Sequence, residues 1–175
     1  MSRSSSPRCV IVMGVSGSGK TTVGRAMAER WGDEFIESDK LHSASDIHKM
    51  ASGTPLDDDD RLPWLHAIGG KLRDEAAADR RTVTACSALK RENRNVLREY
   101  APGAFFVELD GPLDVVRERV LSRHHEFMPP SLLESQYATL EPLEPDELGL
   151  RVDVTLHVDE IVDLVEHALA AQPLH

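Results

Sequence analysis

Short runs of consecutive apolar residues alternate along this chain with longer stretches whose apolar positions recur every three or four residues. The strand-like runs are residues 8–13, 35–38, 82–86, 104–109 and 153–158, and helical spacing fills 20–31, 44–51, 61–79, 90–99, 113–124, 130–138 and 159–171. A strand covered on both faces reads as a near-continuous apolar run, whereas a helix with one buried face shows the 3.6-residue period. Alternation of the two predicts an α/β fold: a central, mainly five-stranded parallel sheet with helices on both faces, a three-layer sandwich. In such sheets ligands bind beyond the carboxyl ends of the strands. Asp39, after the second strand, and Ser87, after the third, are therefore expected to open onto one crevice with the loop that follows the first strand.

That first loop reads Gly14-Val15-Ser16-Gly17-Ser18-Gly19-Lys20-Thr21-Thr22. It fits G-x-x-x-x-G-K-[ST], the phosphate-binding P-loop, and makes the sandwich one of P-loop NTPase type. Glycines let backbone N–H groups crowd around phosphate oxygens with no side chain in the way. Residues 14–22 are thus the candidate ATP-binding segment. Lys20 reaches the β- and γ-phosphates, and the Thr21 hydroxyl is the candidate ligand for Mg²⁺ accompanying ATP as co-substrate. Gly17 stands as a glycine additional to the motif. The apolar run before the loop and the helical pattern after it point a helix N-terminus at the phosphates.

Composition narrows the partners. A chain of 175 residues is one domain, read as 8–175 after a disordered lead-in over 1–7. The formal charge of −10 disfavours nucleic acid, whose phosphates need a basic face. No apolar run approaches the roughly twenty residues of a membrane span. Cys9 and Cys86 sit in apolar segments, which suits reduced core thiols and a cytoplasmic location. The eight histidines show no zinc-ligand spacing, and His124-His125 fits a helix end.

Which acceptor takes the phosphate is a separate question. No N-K-x-D guanine motif occurs; Asp146 to Gly149 matches D-x-x-G but follows Pro145 instead of a strand. Asp110 ends an apolar run, yet Gly111-Pro112 makes it a turn residue. A short one-domain chain with a P-loop and a late arginine-bearing helix fits a small-molecule or nucleotide kinase. More specific runs follow: Asp39-Lys-Leu-His42, Lys49-Met-Ala-Ser-Gly-Thr-Pro-Leu56, Asp58-Asp-Asp-Arg-Leu-Pro-Trp-Leu65, Cys86-Ser-Ala-Leu-Lys-Arg91, Arg119 with Arg123, Phe127-Met128, Ser135-Gln136 and Leu140-Glu141. In these residues, and in their order across about 8–142, the chain resembles the gluconate kinases of the small P-loop type.

The resemblance implies ATP-dependent phosphorylation of D-gluconate on its 6-hydroxyl, a homodimer, and a helical lid over about 119–142. It implies catalytic roles for Lys20, Asp39, Arg119 and Arg123 and acceptor contacts from Asp39, His42, Arg61, Lys90 and Arg91. Gluconate carries a carboxylate and a row of hydroxyls, so cations and paired hydrogen-bonding groups suit it; His42, Arg61, Lys90, Arg91 and Arg94 supply positive charge. Asp57–Asp60 is either a solvated charge run or a group orienting Arg61. Trp64 fits the core, with a place in the pocket as the alternative. Arg119 and Arg123 lie four apart, on one helix face, able to close on the transferring phosphate. Asp39 is the candidate general base; the bland alternative, a cap for the helix starting near 44, falls better to His42 or Ser43. Ser38, Ser43, Asp46, Asn93 and Glu126 depart from the family's usual Gly, Pro, Asn, Tyr and His. Other acceptors, such as a related sugar acid or shikimate, and a nucleotide-binding regulator with slow ATPase activity are the rival functions.

Overall fold

A computed structural model describes residues 7–122 and 131–172. Five strands form one parallel sheet: β1 (Cys9–Met13), β2 (Glu34–Glu37), β3 (Thr82–Ala85), β4 (Phe105–Asp110) and β5 (Gly149–Asp153), in the order β2-β3-β1-β4-β5. Central β1 is fully buried and pairs on both sides, Val12 lying opposite Ala85 of β3 and Val107 of β4. Its alternate residues face two separate apolar layers. Val10 and Val12 join Phe105, Val107, Met27 and Val165 on one face, while Ile11 and Met13 join Phe106, Ile68, Leu65 and Leu97 on the other. Burial of each such side chain contributes about 1.5–3 kcal/mol, enough to specify register strand by strand.

The helices are α1 (Lys20–Trp31), α2 (Ala44–Ala51), α3 (Asp58–Ala77), α4 (Arg91–Tyr100), α5 (Leu113–Leu121), α6 (Ser131–Thr139) and α7 (Val158–Ala170). The acidic run 57–60 starts α3. Asp57 accepts from the Asp60 N–H at 2.7 Å, and the Asp60 carboxylate accepts from the Asp57 N–H at 3.0 Å. This reciprocal cap satisfies N–H groups left open at a helix start.

One strand differs from the sequence reading. The last strand lies at 149–153, not 153–158. As an edge strand paired only with β4, it is half exposed and carries little apolar signal. Asp153 ends it by accepting from the Thr155 N–H at 2.8 Å and its hydroxyl at 2.7 Å, an Asx turn. The alternation at Val154, Leu156 and Val158 is a turn dropping apolar side chains into the core.

Arg94 is corrected too. Its guanidinium is fully buried and donates to both Glu147 oxygens, at 2.7 and 2.9 Å, with Arg98 donating to the same carboxylate at 2.6 Å. Arg94 therefore ties the loop before β5 to α4 and is not available to a ligand. Burial would raise the Glu147 pKa, but the hydrogen bonds from Arg94, the Glu144 N–H and Arg98 outweigh it and bring it from 4.5 down to about 2. A depressed carboxyl stabilises the fold above its unfolded pKa and loses that contribution as pH falls through the folded value. Glu147→Gln, which strands two guanidinium groups, should destabilise the protein by about 3–5 kcal/mol in urea unfolding. Wild type should lose stability progressively between pH 4.5 and 2 in a component the variant lacks.

Candidate active site

At the carboxyl edge of the sheet the P-loop wraps from β1 into α1. Gly14, Gly17 and Gly19 all adopt positive φ, at 148°, 79° and 99°. Gly17 is no spare glycine: a Cβ there would sit 2.3 Å from Val120 Cγ2 of α5. The Ser18 hydroxyl donates to the Val15 carbonyl at 2.7 Å, and Lys20 Nζ donates to the same oxygen at 2.9 Å. The Gly14 N–H reaches the Ser87 carbonyl at 3.3 Å, joining the loop after β3 to the P-loop.

Two cavities open here. One is a small polar cradle lined by Ser16, Gly17, Gly19, Thr21 and Thr22, together with Lys20 and Asp39. The second lies between the P-loop, α3 and α6, with His42, Arg61, Trp64, Ser87 and Gln136 in its wall. Ser16, Lys20 and Asp39 line both. The first has the form of a phosphate site, and the second is a polar pocket meeting it at three residues.

Asp39 is held from behind. It sits in a 3₁₀ turn, Ser38–Leu41, directly after β2. The buried Ser38 hydroxyl donates to the Ala85 carbonyl at 2.5 Å, and Trp64 Nε1 donates to the Ser38 carbonyl at 2.8 Å. Trp64 is thus buried and belongs to the pocket as well: its indole stacks under His42 at 4.2 Å and 12°. Asp39 is not a helix cap, because Ser43 caps α2 by accepting from the Asp46 N–H at 3.1 Å.

The candidate cations divide sharply. Arg61 lines the pocket, half-buried, and among the described residues its guanidinium makes no hydrogen bond and no ion pair. Burial lowers its pKa, opposed by the charges of Asp58, Asp57 and Asp60. Those aspartates point elsewhere, since Lys49 binds Asp60 at 2.5 Å and Lys90 binds Asp58 at 2.9 Å. Lys90 is thereby occupied outside the pocket. Arg91 is likewise held by Glu144 and, at 2.6 and 2.8 Å, by Asp146. His42 is not a cation near neutral pH: burial pushes its pKa below 6.5, against the raising influence of Asp39 and Asp46. Its Nδ1 is buried, with no hydrogen-bond partner among the described residues, 3.6 Å from Asp46. Arg119 lines neither cavity and donates to the Val154 carbonyl at 2.8 Å. Arg123 and Glu126 lie outside the described residues, as do residues 1–6 of the lead-in.

The gluconokinase of Gluconobacter oxydans (strain 621H) is 43% identical to this chain over 162 residues, covering 92% of this chain and 91% of that protein. The chain belongs to the gluconokinase family. A family model described as an AAA domain matches residues 9–143. Among solved structures, a gluconokinase from Sinorhizobium meliloti 1021 superposes with a TM-score of 0.84 at 48% identity, covering 94% of this chain and 92% of that one. A sugar kinase from Janibacter sp. HTCC2649 superposes with a TM-score of 0.90 at 46% identity, over 95% and 96% of the two chains.

Three of this chain's departures from the gluconokinase pattern have a physical account. The Ser38 hydroxyl is absorbed by Ala85, Ser43 caps α2, and Asn93 Oδ1 accepts from the Lys90 N–H at 3.1 Å at the start of α4. Two residues were given no site role from the sequence. Glu37 accepts a short hydrogen bond from the Thr21 hydroxyl, and Gln136 Oε1 accepts from the Ser16 N–H at 2.6 Å. The rule that picked out Asp39, an acidic side chain at a strand's carboxyl end, applies equally to Glu37, the last residue of β2. Gln136 stands in the sequence only as part of the Ser135-Gln136 pair that carries the resemblance; its contact with the P-loop comes from 120 residues away and no local pattern encodes it.

Gly17→Ala places a Cβ against Val120 and forces a left-handed backbone that costs an L-residue about 1–2 kcal/mol. It should weaken binding of an ATP analogue at least tenfold in calorimetry; near-wild-type affinity would show that the loop tolerates the methyl group.

Proposed function

We propose that this chain transfers the γ-phosphoryl group of ATP to the 6-hydroxyl of D-gluconate, giving 6-phospho-D-gluconate and ADP. The observation that carries the reading is the half-buried Arg61 guanidinium, unpaired among the described residues, in a polar pocket that shares Ser16, Lys20 and Asp39 with the phosphate cradle. A buried cation without a counter-ion is costly, so this pocket suits an anionic ligand. Gluconate would set its carboxylate on Arg61 and its hydroxyls among His42, Ser87 and Asp39, leaving its far end at the cradle. Family membership and the P-loop support ATP as the donor.

Phosphoryl transfer is chiefly positioning and charge neutralisation. Backbone N–H groups of residues 14–22 would cradle the phosphates, and Lys20 would leave the Val15 carbonyl to meet the β- and γ-oxygens. Asp39 would accept a hydrogen bond from the 6-hydroxyl, aim it in line with the γ-phosphorus and take its proton late in transfer. The Thr21 hydroxyl bonds the Glu37 carboxylate and shares its cradle with Asp39, an oxygen set that suits a hard cation. Thr21 would hold Mg²⁺, which when bound supplies positive charge against the phosphates. Arg119, with Arg123, would serve the lid only after leaving the Val154 carbonyl. Lys90 and Arg91, occupied by carboxylates, would reach the acceptor only on rearrangement. The resemblance implies a homodimer, testable by sedimentation, and the two buried free cysteines suit a reducing cytoplasm.

A coupled ADP assay over gluconate, other aldonates, shikimate and nucleoside monophosphates tests the reading, with gluconate expected to give the highest kcat/KM. Two variants test the roles. Arg61→Met should raise the KM for gluconate about a hundredfold, the loss of a charge-assisted pair worth roughly 2.7 kcal/mol, while the KM for ATP stays put and the melting temperature does not fall. An unchanged KM for gluconate would dissociate Arg61 from the acceptor. Asp39→Asn should lower kcat by about two orders of magnitude or more with ATP affinity near normal in calorimetry; wild-type turnover would remove Asp39 from catalysis.

A further inference from the structure

Gln136 stands where the two cavities join. Its carboxamide oxygen holds the Ser16 N–H at 2.6 Å, and its side chain forms part of the acceptor pocket wall. The helix that carries it also presents Leu132 and Ser135 to that pocket. Ser16, like Lys20 and Asp39, borders both cavities, so its N–H stands where the cradle meets the acceptor pocket, whereas Gly17, Gly19 and Thr22 line the cradle alone. A P-loop N–H donates to a phosphate oxygen when nucleotide is bound. In this state the Gln136 oxygen fills that place. The γ-phosphate and the carboxamide therefore compete for one donor.

We propose that Gln136 senses the γ-phosphate and couples it to the acceptor pocket. An ATP oxygen displaces the carboxamide from Ser16 and frees it to hydrogen-bond the polyol, while ADP, lacking the γ-phosphate, leaves the contact closed. Acceptor affinity then rises with ATP and not with ADP, and each ligand strengthens the other by the same factor. The inference rests on the phosphoryl-transfer reading of the cavities but not on which acceptor is used.

Calorimetry on the full chain with AMPPNP and ADP, each with Mg²⁺, tests it in Gln136→Met and Gln136→Glu. Gln136→Met removes the competitor at similar volume and should bind AMPPNP several-fold tighter than wild type, with ADP affinity unchanged. Gln136→Glu keeps an acceptor for Ser16 but sets a carboxylate against the phosphate, and should weaken AMPPNP at least tenfold and ADP much less. In wild type, AMPPNP should tighten gluconate several-fold more than ADP does, a difference lost in Gln136→Met. Unchanged or weaker AMPPNP binding by Gln136→Met, or equal losses for both nucleotides in Gln136→Glu, would overturn the sensor and leave Gln136 a wall residue. Failure of wild type to bind gluconate at all would instead sink the acceptor reading, with the nucleotide affinities still reporting on Gln136.

Discussion

Everything in the site depends on the double pairing of β1. This strand is hydrogen-bonded to β3 and β4 and sealed by apolar layers above and below, so its carboxyl end has nowhere to move. Because all the pairings are parallel, the loops after β1, β2 and β3 emerge on one edge. The P-loop, the Asp39 turn and Ser87 then meet without any of them needing an intrinsically rigid sequence. Hydrogen bonds finish what the sheet begins: Ser38 to Ala85, Trp64 to Ser38 and Gly14 to Ser87 join neighbouring loops directly.

An acidic chain keeps a cation in a polar pocket by distributing its carboxylates. At a formal charge of −10 there are more than enough acids to neutralise every cation. Instead, Asp58, Asp60, Glu144, Asp146 and Glu147 bind Lys90, Lys49, Arg91 and Arg94 outside the pocket. Among the described residues, Arg61 is left inside it without a carboxylate partner. Most of the exposed pairs contribute little to stability; their effect is on where uncompensated charge remains.

Much of this was legible in the sequence, and the failures have causes. Fully buried strands such as β1 and β4 announce themselves by unbroken apolar runs, and α2 by its cap and period. The edge strand did not, because one side of it meets water and the turn after it mimics a strand. In the site, the glycines, Lys20, Thr21 and Asp39 could be placed from motif and topology. Charge alone could not separate Arg61 from Lys90, Arg91 and Arg94. Their difference lies in partners as far as 53 to 55 residues away, which no local pattern encodes. Nor could it reveal that His42 is held neutral by burial.

The stack of His42 on Trp64 has an optical consequence. The indole is buried, fixed at one edge by the Ser38 carbonyl and covered on one face by an imidazole that itself borders the polar pocket beside the P-loop. Its emission therefore depends on the ring lying over it, and any molecule that shifts or protonates that ring changes the signal. The second tryptophan, Trp31, sits at the far end of α1 against Glu166 and does not line that pocket. The molecule thus carries its own fluorophore at the pocket proposed for the acceptor, and filling of that pocket can be followed in stopped flow without a label.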